Sequence, residues 1–170
     1  MALLLRIIRQ ARWLSAWETL DTEDIADNDV PADPVADLDT KQNKLSVYVV
    51  ADDRSDLGRI VAALAANRPQ LQKLDYALFD ERTIPTISIK AQKTKGQTPD
   101  DGVNDKHLDL VALTGLKLVA LARAILDQAQ IERKPPKDVA ALIRTEAKSG
   151  ALDMDRCKLE PQERRKIETL

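Results

Sequence analysis

Between Leu45 and Ala65 the hydrophobic pattern changes period, and no other feature constrains the fold as much. LSVYVV at 45–50 is β-branched and aromatic, which predicts a strand. Leu57, Ile60, Val61, Leu64 and Ala65 then recur at helical spacing, and Asn67 to Pro69 stop the run. A strand followed directly by a helix makes this a mixed fold. LDYALFD at 74–80 alternates Leu74, Tyr76 and Leu78 against Asp75, Ala77 and Phe79, and TISIKAQ at 86–92 alternates Ile87 and Ile89 against Ser88 and Lys90; both are expected strands.

The two ends of the chain complete the outline. LLLRIIRQARWL at 3–14 fits a helix with Leu4, Ile7, Ile8, Ala11 and Leu14 on one face and Arg6, Arg9 and Arg12 on another. It also fits a strand, with Leu3, Leu5, Ile7, Arg9 and Ala11 aligned, and a short branched run favours the strand. KGQTPDDG, ending at Gly102, is a turn-rich loop. Residues 104–131 carry the longest periodic seam, Leu108, Val111, Gly115, Leu118, Val119, Ala122, Ile125, Leu126 and Ala129, broadened by Leu110, Leu113, Leu116 and Leu121; this predicts the central core helix. Pro135 and Pro136 end it, a helix with the narrow face Val139, Leu142 and Ile143 runs to Gly150, and a sparse helix follows Pro161.

The expected fold is therefore α+β. Three or four strands from the first 92 residues form a small sheet packed by two core helices, at about 55–67 and 104–131, with the last two helical segments outside. The expected division is a core domain over 1–131, with 18–44 as an acidic connection, and a helical C-terminal extension over 132–170. At 170 residues such a chain buries roughly 70% of its unfolded surface, so it folds without metal or disulfide. With only 3% aromatic residues, the core has to be aliphatic.

Charge is uneven along the chain. Glu18, Asp21, Glu23, Asp24, Asp27, Asp29, Asp33, Asp37 and Asp39 follow one another without a Lys or Arg, interrupted by Pro31 and Pro34, and read as a surface-hugging or partly disordered segment. Arg82, Lys90, Lys93 and Lys95, and Arg164, Arg165 and Lys166, gather the opposite sign. The pI near 5.5 and the lack of interleaved aromatics argue against a dedicated nucleic-acid binder. MALLLRIIR is a poor signal peptide, and 108–126 is broken by Asp109, Lys117 and Arg123, so no membrane span is expected. The single Cys157 fits a reducing compartment, and a cytoplasmic location is expected.

Chemistry-bearing residues are few. Asp52 and Asp53 end one expected strand, and Asp80 and Glu81 end another, so four carboxylates, with Asp53 and Asp80 foremost, are candidates to hold Mg²⁺ in a hydrolase or nuclease. The lysine that would complete a restriction-endonuclease-like pattern is Lys90, but Ser88 stands two residues before it where an acidic residue is needed. Asp53 or Ser55 serves equally as an N-cap, with Asp56 in the first turn. His107, the only histidine, has Asp105 and Asp109 nearby as a general-base arrangement, and is more commonly a solvated or capping residue. Arg156 and Lys158 flank Cys157 in a way that would lower its pKa, with no second histidine to pair with it. Neither a phosphate-cradling loop nor a zinc spacing occurs, and no cofactor is expected.

Trp13 and Trp17, four residues apart beside Arg9 and Arg12, suit a membrane-interface helix or a protein contact, while core packing or a partly exposed surface pair is the more common reading of such a pair. LLLRIIRQARW, LDYALFD and the HLDL at 107–110 together resemble a group of small uncharacterised bacterial proteins; the resemblance implies a bacterial origin and carries no activity and no site residue. The function expected is that of a non-enzymatic bacterial cytoplasmic protein acting through a protein partner or as a homo-oligomer, an accessory component of a larger system. The alternative is the metal-dependent hydrolase built on the strand-end carboxylates.

Overall fold

The computed structural model describes residues 2–18, 20, 26 and 29–169. Among them six strands form one open antiparallel sheet, with eight helices around it. The chain enters through β1 (Leu3–Ile7), turns into α1 (Gln10–Leu14), and reaches α2 (Ala32–Asp37), β2 (Leu45–Val50) and α3 (Leu57–Ala66). It continues through β3 (Leu74–Asp80), α4 (Thr83–Thr86), β4 (Lys90–Lys93), α5 (Asp101–Asn104) and β5 (His107–Val111). α6 (Gly115–Gln128), β6 (Gln130–Lys134), α7 (Pro136–Lys148), a 3-10 turn at Met154–Arg156 and α8 (Pro161–Thr169) complete it. The strand order is β4-β5-β2-β1-β3-β6.

Period-two alternation explains how both sheet faces are filled. Leu5, Val50, Tyr76 and Leu78 point to one side, where Ile60, Val61 and Leu64 of α3, Val139, Ala140 and Ile143 of α7 and Ile167 of α8 cover them. Leu4, Val47, Ala77, Phe79 and Leu110 point to the other, against Trp13, Leu38, Ile84 and the α6 residues Leu121, Ala122 and Ile125. A strand covered on both faces is apolar at successive positions, which is why β1 opens with three leucines. Each such side chain removed from water contributes about 1.5–3 kcal/mol. Gly58 has no side chain because a Cβ there would lie 3.1 Å from Leu142 Cδ2, and its absence lets α7 settle on α3.

The small sheet with two core helices is overturned at three places. Residues 104–131 are not one helix but β5, a turn with Ala112 at φ 53°, α6 and β6. His107, Asp109 and Val111 alternate with Leu108 and Leu110 to serve two sheet faces, and pairing with β2 and β4 overrides the helical seam. Leu116, expected to be covered, is 84% exposed on the first turn of α6. The expected strand at 86–92 is instead the end of α4, a bend at Ser88 with φ 57°, and a short edge strand starting at Lys90. Lastly, α7 and α8 do not sit outside: Val139, Ile143 and Ile167 are buried in the α3 core, and the Arg144 guanidinium donates to the Ile167 carbonyl.

For residues 3–14 both readings hold in part, since β1 ends at Ile7 and α1 begins at Gln10. In the acidic segment Ala32–Asp37 is helical, and Asp37 and Leu38 are buried. Asp21, Glu23, Asp24 and Asp27 lie outside the described residues. No helix among the described residues is long and apolar enough to cross a membrane.

Candidate functional site

The antiparallel register brings the strand-end carboxylates to one end of the sheet's central strands. Leu3 pairs with Val50 on one side and Asp80 on the other, so the ends of β2 and β3 flank the start of β1, about 10 Å apart. At that end of the sheet each group has local work. Asp53 Oδ1 accepts from the Ser55 amide (3.0 Å) and Ser55 Oγ (2.7 Å), and these bonds hold its carboxyl below the usual range. Arg82 donates to Asp80 from its backbone N–H (2.8 Å) and from Nη2 (2.6 Å), holding that carboxyl at about 2. Asp56, rather than Asp53 or Ser55, is the N-cap residue of α3, and its side chain accepts from the Ala51 amide and pairs with Lys106. Glu81 is exposed, and Asp52 sits in the turn after β2. Among the described residues no three His, Cys, Asp or Glu side chains converge to hold a metal ion.

His107 lies inside β5, not at a helix start. Its Nδ1 is 2.8 Å from Thr94 Oγ1, its ring meets Tyr48 edge-on at 5.1 Å, and Asp109 Oδ1 is 3.8 Å from Nε2. Burial pushes its pKa down, partly opposed by Asp109 and the Thr94 contact, so the neutral ring is favoured. Cys157 is buried against Met154 Sδ (3.7 Å), and burial raises its thiol pKa in spite of Arg164; the lowering expected from its flanking cations is reversed.

The sequence-flagged tryptophans mark a different place, the corner where β1 leads into α1. Trp13 is core, its Nε1 donating to Asp37 Oδ2 at 2.8 Å, and the same oxygen accepts the Arg9 amide at 2.6 Å. Trp17 is 37% exposed, with Leu14 at 60% and Leu20 at 40%. Three of the four exposed large hydrophobic residues among those described thus fall within positions 14–20, next to Arg9 and Arg12.

Behind this corner opens a cleft of about 510 Å³ lined by Arg6, Arg9, Arg68, Lys73 and the carboxylates Asp37, Asp39 and Asp75. Arg133, from β6, clamps Asp75 with two bonds of 2.7 and 3.0 Å, and the Gln10 amide adds a third at 3.1 Å. Arg6 rises from β1 and donates to the Ser46 carbonyl at 3.0 Å; its Nε is buried without a hydrogen-bond partner. Burial lowers the pKa of Arg6, opposed by Asp37 and Asp39, and that of Arg68, opposed by Asp75. Sequence reasoning missed Arg6, Arg68 and Lys73. The one signal was an arginine set among leucines and isoleucines in a segment read as a strand. Comparison with protein-family models, curated proteins and solved structures finds no match, so function rests on the site alone.

Proposed function

We propose that this is a non-enzymatic bacterial cytoplasmic protein that works by docking another protein at the β1–α1 corner. The observation that carries this reading is the concentration of exposed large apolar side chains at Leu14, Trp17 and Leu20. Partial exposure of an indole and two leucines forfeits part of their burial energy, and an aromatic anchor with cations at its edge is a common composition for a protein contact. Arg9 and Arg12 fit a partner whose apolar pocket is rimmed by carboxylates. No comparable observation favours the metal-dependent hydrolase, because Asp53 and Asp80 are each bound to neighbouring residues.

The test is a photo-crosslinking amino acid in place of Trp17 in the native host, with the same group at Lys93 on β4 as control. A discrete adduct from position 17 and none from position 93 is expected, and its mass separates a different protein from a second copy of the chain. Absence of any adduct at position 17 would overturn the reading.

A further inference from the structure

We propose that the cleft at the foot of β1 and β3 binds a small oxyanion, a carboxylate or phosphate group, with Arg68 and Lys73 as its donors and Arg6 as the buried charge behind it. This inference is independent of the docking at Trp17. The lining holds four cations, Arg6, Arg9, Arg68 and Lys73, against three carboxylates, Asp37, Asp39 and Asp75. One of those carboxylates is already neutralised from outside the cleft by the two bonds from Arg133 to Asp75. Asp37 accepts from the Trp13 indole and the Arg9 amide, and its other oxygen lies 3.7 Å from Arg9 Nε, so Arg9 and Asp37 offset one another. Arg6, Arg68 and Lys73 are left against Asp39, so what remains is positive.

Arg68 is half-buried, yet its guanidinium has no hydrogen-bond acceptor among the described residues, and the Asp75 charge that partly offsets its burial is shared with Arg133. Arg6 Nε is likewise enclosed without an acceptor, and it is the only such buried side-chain atom among the described residues. Desolvating a cation without full pairing is costly, and at Arg6, whose Nη1 and Nη2 reach the Ser46 and Asp39 carbonyls while Nε reaches none, a bound anion beside it would recover part of that cost. A guanidinium fork matches the two oxygens of a carboxylate or phosphate, and Lys73, exposed at the rim just before β3, supplies a mobile point charge. The volume suits a small ligand. The three carboxylates set a steric and electrostatic limit, so the ligand carries one or two negative groups and is not a polyanion.

The experiment is calorimetric titration of the full chain with sodium phosphate and, separately, disodium succinate, ionic strength held constant with sodium chloride. Saturable binding is expected for at least one. Phosphate alone assigns a phosphoryl ligand, succinate alone a carboxylate ligand, and both together a general oxyanion site. Arg68→Gln is expected to weaken binding about tenfold or more, as loss of a charge-assisted bond does. Lys93→Gln, on the exposed edge strand, is expected to leave it unchanged. Lys73→Gln, at an exposed position, gives the same reading if Arg68→Gln does not fold. No saturable heat with either anion, undiminished binding in both cleft variants, or equal weakening in Lys93→Gln would overturn the proposal.

Discussion

Arg59 on α3 grips Asp100 through two hydrogen bonds, Nε to Oδ2 at 2.6 Å and Nη2 to Oδ1 at 2.8 Å. Asp100 is buried and also caps α5, accepting from the Val103 amide at 3.1 Å. Around it, Asn104 Oδ1 accepts the Thr98 amide at 2.6 Å, and Arg156 Nη2 donates to the Thr98 carbonyl at 3.0 Å. A loop read from sequence only as turn-rich is thus latched to a core helix and to the C-terminal segment. Buried polar networks of this kind hold a loop in one conformation because every member would otherwise be left unpaired.

Arg59→Met leaves the Asp100 carboxylate buried without its counter-charge. The expected loss is about 2–3 kcal/mol, below that for a fully buried pair because the Arg59 side chain is 41% exposed and solvent screens it. Asp100→Asn is expected to cost less, since the Val103 cap survives and Arg59 can turn to water. Urea denaturation of both variants measures this, and equal losses would contradict the asymmetry.

Stability is expected to fall in two steps on acidification. Burial lowers the His107 pKa, so its contribution is fully present above the unfolded value near ~6.5 and is lost as pH falls from there through the lower folded value. Burial pushes the Asp75 and Asp100 carboxyls up, but their arginine and backbone bonds outweigh it and hold both below their usual range. Their contribution is present above the unfolded value near ~3.9 and disappears below it. Urea midpoints across pH should show the upper step vanish in His107→Gln; identical profiles for variant and wild type would refute it.

The two tryptophans should respond in opposite ways. Trp13→Phe removes the indole bond to Asp37 and opens space in the core, at a cost of about 2–4 kcal/mol. Trp17→Phe should cost less than about 0.5 kcal/mol. Acrylamide should quench the fluorescence of Trp13→Phe, where only Trp17 remains, far more than that of Trp17→Phe.

Two glycines give a further contrast. A Cβ at Gly96 would lie 2.9 Å from Asn104 Oδ1 and 3.1 Å from the Asn104 Cα, inside the latched loop, so Gly96→Ala should cost about 1–3 kcal/mol. At Gly115, the first residue of α6, nothing lies within 4 Å, and Gly115→Ala should add about 0.4–1 kcal/mol. Thermal melts of the pair decide it, and shifts of the same sign would count against this packing.

Local pattern was sufficient where neighbours along the chain set the environment. β2, α3 and β3 lie where branched residues, helical spacing and period-two alternation put them, and Pro135 and Pro136 stand where α7 begins. The same logic failed at His107–Lys134, because Leu108, Val111, Gly115 and Leu118 fit a helical seam although Thr114 caps a new helix in the middle of it. The site was less legible than the fold. Trp17 could be flagged from its spacing with Trp13, but the cleft joins Arg6, Arg68 and Lys73 across more than sixty residues, and no spacing rule spans that distance.

By itself, then, the sequence determined the α+β character, the aliphatic core, and the elements whose hydrophobic period is unambiguous, since these depend on side-chain chemistry and local geometry. Only the tertiary structure decided that β5 and β6 are strands, that α7 and α8 belong to the core, which tryptophan is exposed, and that Arg6 Nε is enclosed without an acceptor. Those outcomes depend on strand pairing and burial between distant segments, whose energies appear only when the segments meet.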